Sequence, residues 1–181
     1  MRAQDELIRR LNFLAKEAVD WDTVFQAELP RVYNFFRYRL GEDAEAEDLT
    51  SATFEKAWVK RGSYHYDRAA FSTWLFSIAR NLAIDHHRRN QQTISLDEHM
   101  DLEAPAPGVE QQVQMQQDFA HLEKLLATLP EREQELVAFK YGADLTNREI
   151  ARLTGLIETN VGSILHRVVN KLRNQWEAHN E

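Results

Sequence analysis

Thr159, Asn160, Ser163, His166, Arg167, Asn170 and Lys171 recur near the C-terminus at spacings that place them along one side of a helix. They are small or hydrogen-bonding, and no carboxylate follows Glu158 as far as Arg173. Such a face can donate to phosphates and touch base edges. A second set, Tyr64, His65, Tyr66 and Arg68, falls in a short loop, where rings and a guanidinium can stack on or clamp an unpaired base. Around that loop, bases (Arg61, Arg80, Arg88, Arg89) interleave with aromatics (Phe71, Trp74, Phe76). Aromatics at helical spacing belong in a core more often than on a stacking platform, and Trp74, Leu75 and Ile78 are assigned to the core.

Catalytic chemistry finds no comparable support. The chain has no GxxxxGK[ST], GxGxxG, GxSxG or HExxH, and no cysteine, which removes thiolate zinc sites, disulfides and Cys nucleophiles together. His86 and His87 are adjacent, so on a helix they point about 100° apart and chelate one metal poorly, even with His65 brought in. Polar residues near a basic helix end are the preferred reading. The acids of EDAEAED, residues 42–48, read as a solvated helix start. The expectation is a non-enzymatic protein with no cofactor and no metal.

The elements that must position these residues are helical. In the first ninety residues Phe25, Leu29, Val32, Tyr33, Phe36 and Leu40 form one apolar stripe, interrupted by Pro30, which should kink it or mark a new start, and closed by Gly41. AEAEDLTSATFEKAWVKRG follows, acidic first and basic last as the helix dipole favours, with Leu49, Phe54, Ala57 and Trp58 as its apolar face and Gly62 as its end. Phe71, Trp74, Leu75, Ile78 and Leu82 then repeat helically. Further on, Phe119, Leu122, Leu125, Leu126 and Leu129 mark another helix. Pro130 is placed as the first residue of the next, EREQELVAFKY, which ends at Gly142. Thr146 to Glu149 has the capping-box pattern, Gly155 suits a left-handed turn, and Glu158 to about Arg173 forms the last helix on a stripe of Val161, Leu165, Val168 and Leu172. The fold class is therefore all-α: two small helical domains joined by a flexible acidic linker, the C-terminal one a helix-turn-helix.

The formal charge of −7 is unevenly placed. Residues 1–90 hold 14 Lys/Arg and 14 Asp/Glu, residues 91–117 hold five acids and no base, and residues 118–181 hold eight bases and ten acids. The negative middle is Gln-rich, carries Pro105, Pro107 and Gly108, and reads as a linker from about Asn90 to Val109, after which a helix can begin. Nucleic-acid binding survives an acidic total because local patches outweigh the sum. The N-terminus alternates charged and apolar residues, unlike a signal peptide or membrane span, and the expected compartment is the cytoplasm.

Taken together, DLTSATFEKAW, FSTWLFSIARNLAIDHHRR, LPEREQELVAFKY and LTNREIARLTGL with VGSILHRVVNKLR resemble regions 2 and 4 of bacterial RNA polymerase sigma factors, specifically the two-domain extracytoplasmic-function (ECF) group. The resemblance divides the chain into region 2 (1–90), the acidic linker (91–117) and region 4 (118–181). It implies a transcription initiation factor that binds core polymerase through the β′ clamp helices and β flap and directs it to promoter DNA. An anti-sigma factor is the further partner implied, with no residue identifying one and no membrane insertion. On this basis Asp48, Leu49, Thr50, Ser51, Glu55 and Trp58 match the polymerase-binding helix, with Asp48, Thr50, Ser51 and Glu55 as the surface choices and Phe54 and Trp58 partly in the core. Tyr64, His65, Tyr66, Arg68, Arg80, Asn81, Asp85, Arg88 and Arg89 match the reader of the minus-ten element, where a non-template base is flipped into a pocket. Thr159, Asn160, Gly162, Ser163, His166, Arg167, Asn170 and Lys171 match the reader of the minus-thirty-five element.

The chain departs from the family's pattern at three positions of the last helix. Family members commonly carry Lys or Arg where this chain has Gly162, Ile164 and Val169, so phosphate anchoring by the last helix is thin. Gly162 itself costs about 1 kcal/mol of helix propensity relative to Ala, accepted either for close approach to DNA or for packing against a neighbour. Tethering to polymerase and to a second DNA-reading domain compensates for a weak single site. A stand-alone helix-turn-helix regulator and an enzyme with an unrecognised helical site are the competing readings, and neither accounts for both halves.

Overall fold

The computed structural model describes residues 20–65, 69–93 and 110–178, without the side chains of 91–93 and 110–116. Over these residues the chain is all-α, with no strand. Helix α1 spans Trp21–Leu40. Asp20 caps it, its carboxylate accepting from the Thr23 amide and hydroxyl, and Gly41 ends it in the left-handed region at φ 85°. No new helix starts at Pro30: α1 is one helix with the proline inside it. Next come α2 (Asp43–Val59), a 3₁₀ turn (Arg61–Ser63) and α3 (Phe71–Thr93). α2 thus stops ahead of Gly62.

α4 spans Glu110–Ala127, so the end of the acidic segment is already helical. α5 covers Glu131–Val137, with Pro130 one place earlier than expected, as its N-cap. It then widens into a π-helical turn, Ala138–Gly142, closed by the Ala143 amide donating to the Ala138 carbonyl at 2.9 Å. Single π turns inside helices are rare and recur at functional sites. α6 (Asn147–Thr154) and α7 (Glu158–Glu177) complete the fold.

α1 lies between the two halves of the molecule. It packs on α2 and α3 on one side, and on the π-helical turn with α4 and α5 on the other. Phe35 stacks on Phe139 with centroids 4.7 Å apart and planes at 21°, and Phe76 of α3 meets both rings edge-on at 5.9 and 6.4 Å. All three are fully buried, and each buried ring contributes roughly 1.5–3 kcal/mol of hydrophobic free energy. The buried residues form one cluster reaching from Val32 to Val168.

This shared core revises the expected faces. Val32 and Phe36 are buried as anticipated, but Phe25 and Leu29 are exposed and Tyr33 and Leu40 half-buried. Phe35, off the periodic stripe, is fully buried because its cover comes from Phe139 in the other half of the chain. Trp58, counted with the apolar face of α2, is 51% exposed. The surface position expected for Thr50 is wrong: it is 4% exposed, and its hydroxyl donates back to the Ala46 carbonyl at 2.6 Å.

Candidate nucleic-acid and polymerase interface

The helix-turn-helix is built locally. Thr146 Oγ1 accepts from the Glu149 amide at 3.3 Å, and Glu149 Oε2 accepts from the Thr146 amide at 2.8 Å, completing the capping box that starts α6. Partial burial pushes the Glu149 carboxyl up. The Thr146 hydroxyl and amide, helped by Arg31 and Arg152, outweigh that and hold it below its ordinary value. Gly155 makes the turn at φ 74°, and Val161, Leu165 and Val168 anchor α7 in the core.

That anchoring turns the other side of α7 outward. Thr159, Asn160, Ser163, His166, Arg167 and Lys171 are exposed and Asn170 is half-buried. Some are engaged with protein: Ser163 donates to the Thr159 carbonyl, Asn170 pairs with His166 at 3.1 Å, and Arg167 Nη2 reaches Glu133 Oε1 of α5 at 2.8 Å. Arg167 remains well exposed, so that ion pair contributes at most about 1 kcal/mol. Gly162 lies beside Asn147, whose Nδ2 would sit 3.3 Å from an added Cβ.

The minus-ten candidates are divided by the fold. Tyr64 is half-buried, its ring against Phe71 and Trp74 and its hydroxyl donating to the Ala69 carbonyl at 3.3 Å. It fastens the base of the loop instead of standing free to stack on a base. His65 is exposed, whereas Tyr66 and Arg68 lie outside the described residues. On α3, Asn81, Asp85, Arg88 and Arg89 face outward. Arg80 turns inward: its Nε and Nη2 donate to Glu135 Oε1 and Oε2 of α5 at 2.8 and 3.3 Å. His86 sits 3.0 Å from Glu45 and also pairs with Asn90, while His87 approaches Glu131 at 3.8 Å.

On α2, Asp48, Ser51, Glu55 and Trp58 are exposed and Leu49 is half-buried. Trp58 is held by Trp21 edge-on at 5.3 Å and by the Arg61 guanidinium 4.3 Å over its ring. A rigid, exposed indole of this kind suits a protein partner.

Sequence reasoning missed the seam between the halves. Arg31 Nε donates to the Ala143 carbonyl at 2.9 Å. Arg39 Nη2 donates to Glu131 Oε1 at 2.7 Å, and its Nη1 to Gln134 Oε1 at 2.9 Å. Arg37 Nη2 lies 2.6 Å from Glu123 Oε1, as an ion pair outside hydrogen-bond alignment, and burial pushes that carboxyl up despite the arginine. Gly142 backs directly onto α1, where a Cβ would lie 2.7 Å from the Asn34 carbonyl oxygen. The only local signal was an arginine or glutamate inside an otherwise apolar run, which names no partner.

Comparison with known proteins places this geometry. Residues 24–93 match the Sigma-70 region 2 family and residues 120–172 the Sigma-70, region 4 family. The ECF RNA polymerase sigma factor BldN of Streptomyces coelicolor is 31% identical over 169 residues, 92% of this chain and 63% of the relative. The ECF RNA polymerase sigma factor RpoE of Cereibacter sphaeroides is 31% identical over 150 residues, 83% of this chain and 82% of the relative. Among solved structures, RpoE of Bartonella quintana, crystallised with the anti-sigma factor NepR, superposes with a TM-score of 0.68 at 22% identity, covering 87% of this chain and 97% of that one. At that identity the likeness speaks for the fold alone. The chain therefore belongs to the ECF sigma factors, the transcription initiation factors that direct bacterial RNA polymerase to promoters.

Proposed function

We propose that this chain carries out that task with three separate surfaces. α7 reads the minus-thirty-five element as duplex DNA through Thr159, Asn160, Ser163, His166, Arg167, Asn170 and Lys171. The exposed side of α3, with Asn81, Asp85, Arg88 and Arg89, and the loop around His65 read the minus-ten element and hold its flipped base. Asp48, Leu49, Ser51, Glu55 and Trp58 on α2 grip the β′ clamp helices, while the helix-turn-helix half meets the β flap. Action in the cytoplasm, and an anti-sigma partner of the kind crystallised with the Bartonella relative, belong to the same reading.

The observation that carries it is the two-sided build of α7. Val161, Leu165 and Val168 are fixed inward, and a face without carboxylates from Thr159 to Arg173 is left outward behind a capped α6 and a glycine turn. The test is transcription in vitro with purified core polymerase on genomic templates. Promoter-specific initiation that depends on the added chain is expected, and its absence on every template sinks the proposal. Asn81→Ala should impair open-complex formation while sparing polymerase binding; loss of polymerase binding would instead make Asn81 structural.

A further inference from the structure

Arg80, Ile84 and Arg88 follow one another at four-residue steps, so they lie along one stripe of α3. That stripe lines a cleft of about 550 Å³ together with Arg39 of α1 and with Glu131, Arg132 and Glu135 of α5. Two of the four arginines are committed within the protein: Arg39 donates to Glu131 and Arg80 to Glu135. The other two are not. Arg88 and Arg132 are exposed, and neither makes a hydrogen bond or ion pair among the described residues.

Four guanidiniums thus meet two carboxylates, which leaves an excess of two positive charges at one cleft. Like charges lining one cleft repel, and an anion placed between them removes that cost. A guanidinium presents parallel N–H donors that fit a phosphoryl group in bidentate fashion, so two uncommitted ones suit a ligand with two such groups. The volume falls in the range of roughly 300–1,000 Å³ typical of small-molecule sites and is too small for a folded partner. Ile84 is the one aliphatic side chain in the lining and no Phe, Tyr or Trp contributes to it, so recognition there has to come from charge and not from apolar burial.

We propose that this cleft binds a small polyphosphate, a diphosphate or a longer phosphoryl chain, between Arg88 of α3 and Arg132 of α5. The Arg39–Glu131 and Arg80–Glu135 pairs order the rest of the lining and neutralise the two carboxylates that would otherwise turn the ligand away. Because the two ligating arginines come from different halves of the chain, the binding free energy adds to the stability of the packed molecule.

The full chain titrated with inorganic pyrophosphate, in buffer without divalent metal, tests this. Thermal unfolding followed by circular dichroism should show the midpoint raised by about 3 °C or more at millimolar pyrophosphate, relative to sulfate at the same ionic strength. Sulfate sets the baseline because it stabilises proteins generally by exclusion from their surfaces. Arg132→Gln and Arg88→Gln should each weaken pyrophosphate binding, read by calorimetric titration, about tenfold or more, and should cancel the extra rise. Without ligand, Arg132→Gln should melt within about 1 °C of the parent, since it removes an exposed side chain with no partner. Lys124→Gln removes the same charge from an exposed position outside the cleft and should leave binding unchanged. An equal rise with sulfate overturns the proposal, as does a loss in Lys124→Gln as large as that in Arg132→Gln, because either reduces the effect to unspecific charge. Unchanged binding in both arginine variants overturns it too. Displacement of pyrophosphate by single-stranded oligodeoxythymidine, with the same dependence on Arg132, would assign the cleft to a nucleic-acid backbone and overturn the small-ligand site.

Discussion

The two helices proposed to read DNA are built alike and end up in opposite circumstances. α7 and α3 each bury an apolar stripe and each carry arginine on a polar side. Arg167 of α7 stays at the surface with a loose tie to Glu133, whereas Arg80 of α3 is drawn into the seam by Glu135. The difference lies in the neighbour, not the helix. α7 is positioned by α6 beside it in sequence, and α3 has the second half of the molecule folded over it. A residue type that suits DNA is thus necessary for a reader and insufficient to make it available.

The seam gives the largest expected effects. Phe139→Ala removes the ring that Phe35 and Phe76 close upon and should cost about 3–5 kcal/mol. Urea unfolding followed separately in the two halves should show one common transition moved to lower denaturant. A shift confined to the helix-turn-helix half would mean that the halves are not coupled.

Arg80 and Arg167 then provide the direct contrast. Arg80→Ala strands the largely buried Glu135, so stability should fall by about 2 kcal/mol, below the roughly 3–5 kcal/mol of a fully buried pair because Arg80 keeps some contact with water. Arg167→Ala should change stability by less than about 0.5 kcal/mol, yet lower the salt slope of duplex binding by about one. Equal stability losses in the two variants would erase the distinction, and an unchanged salt slope would remove Arg167 from the phosphate contacts.

Capping sets the next level. Thr146→Ala should cost about 1 kcal/mol by leaving the first turn of α6 uncapped. Because the Glu149 carboxyl is depressed in the folded chain, its contribution is present above its unfolded value and is lost as pH falls through the folded one. Acid unfolding profiles should therefore show Thr146→Ala converging on the parent at low pH and separating from it toward neutrality. Parallel profiles would mean that Glu149 is not the partner that matters.

Gly162→Ala should have the smallest effect on stability. The gain in helix propensity of up to about 1 kcal/mol is set against a small displacement of the Asn147 side chain, so a change between zero and mild stabilisation is expected. Weaker duplex binding in this variant would mean that the glycine serves close approach to DNA. Unchanged binding would mean that it serves only the fit to Asn147.

What could be read in the sequence was whatever is settled within a few residues. The Thr146–Glu149 box, the glycine caps at Gly41 and Gly155 and the Val161–Leu165–Val168 stripe all depend on neighbours at most one or two turns away. Their residue types therefore carried the answer. The outward face of α7 followed from the same stripe. Phe25 and Leu29 were placed wrongly for the complementary reason: periodicity marks a face as apolar, but does not say whether the described residues cover it. Trp58, left exposed and braced by Trp21 and Arg61, becomes a better candidate for the polymerase surface than the buried Thr50.

The amino-acid sequence by itself determined the helical segments, the glycine caps at Gly41 and Gly155, the capping box of α6, the turn between α6 and α7 and the resemblance to the family. Each of these is written in local spacing or in contiguous motifs. Only the tertiary structure decided that the halves share one core, that Phe35 is interior and that Arg80 and Arg39 are occupied by Glu135 and Glu131. The physical reason is separation along the chain. Arg39 and Glu131 are 92 residues apart and Arg80 and Glu135 are 55 apart, so no periodicity pairs them. What joins them is the packing of Phe139 and Gly142 against α1, which brings those charges together at the seam.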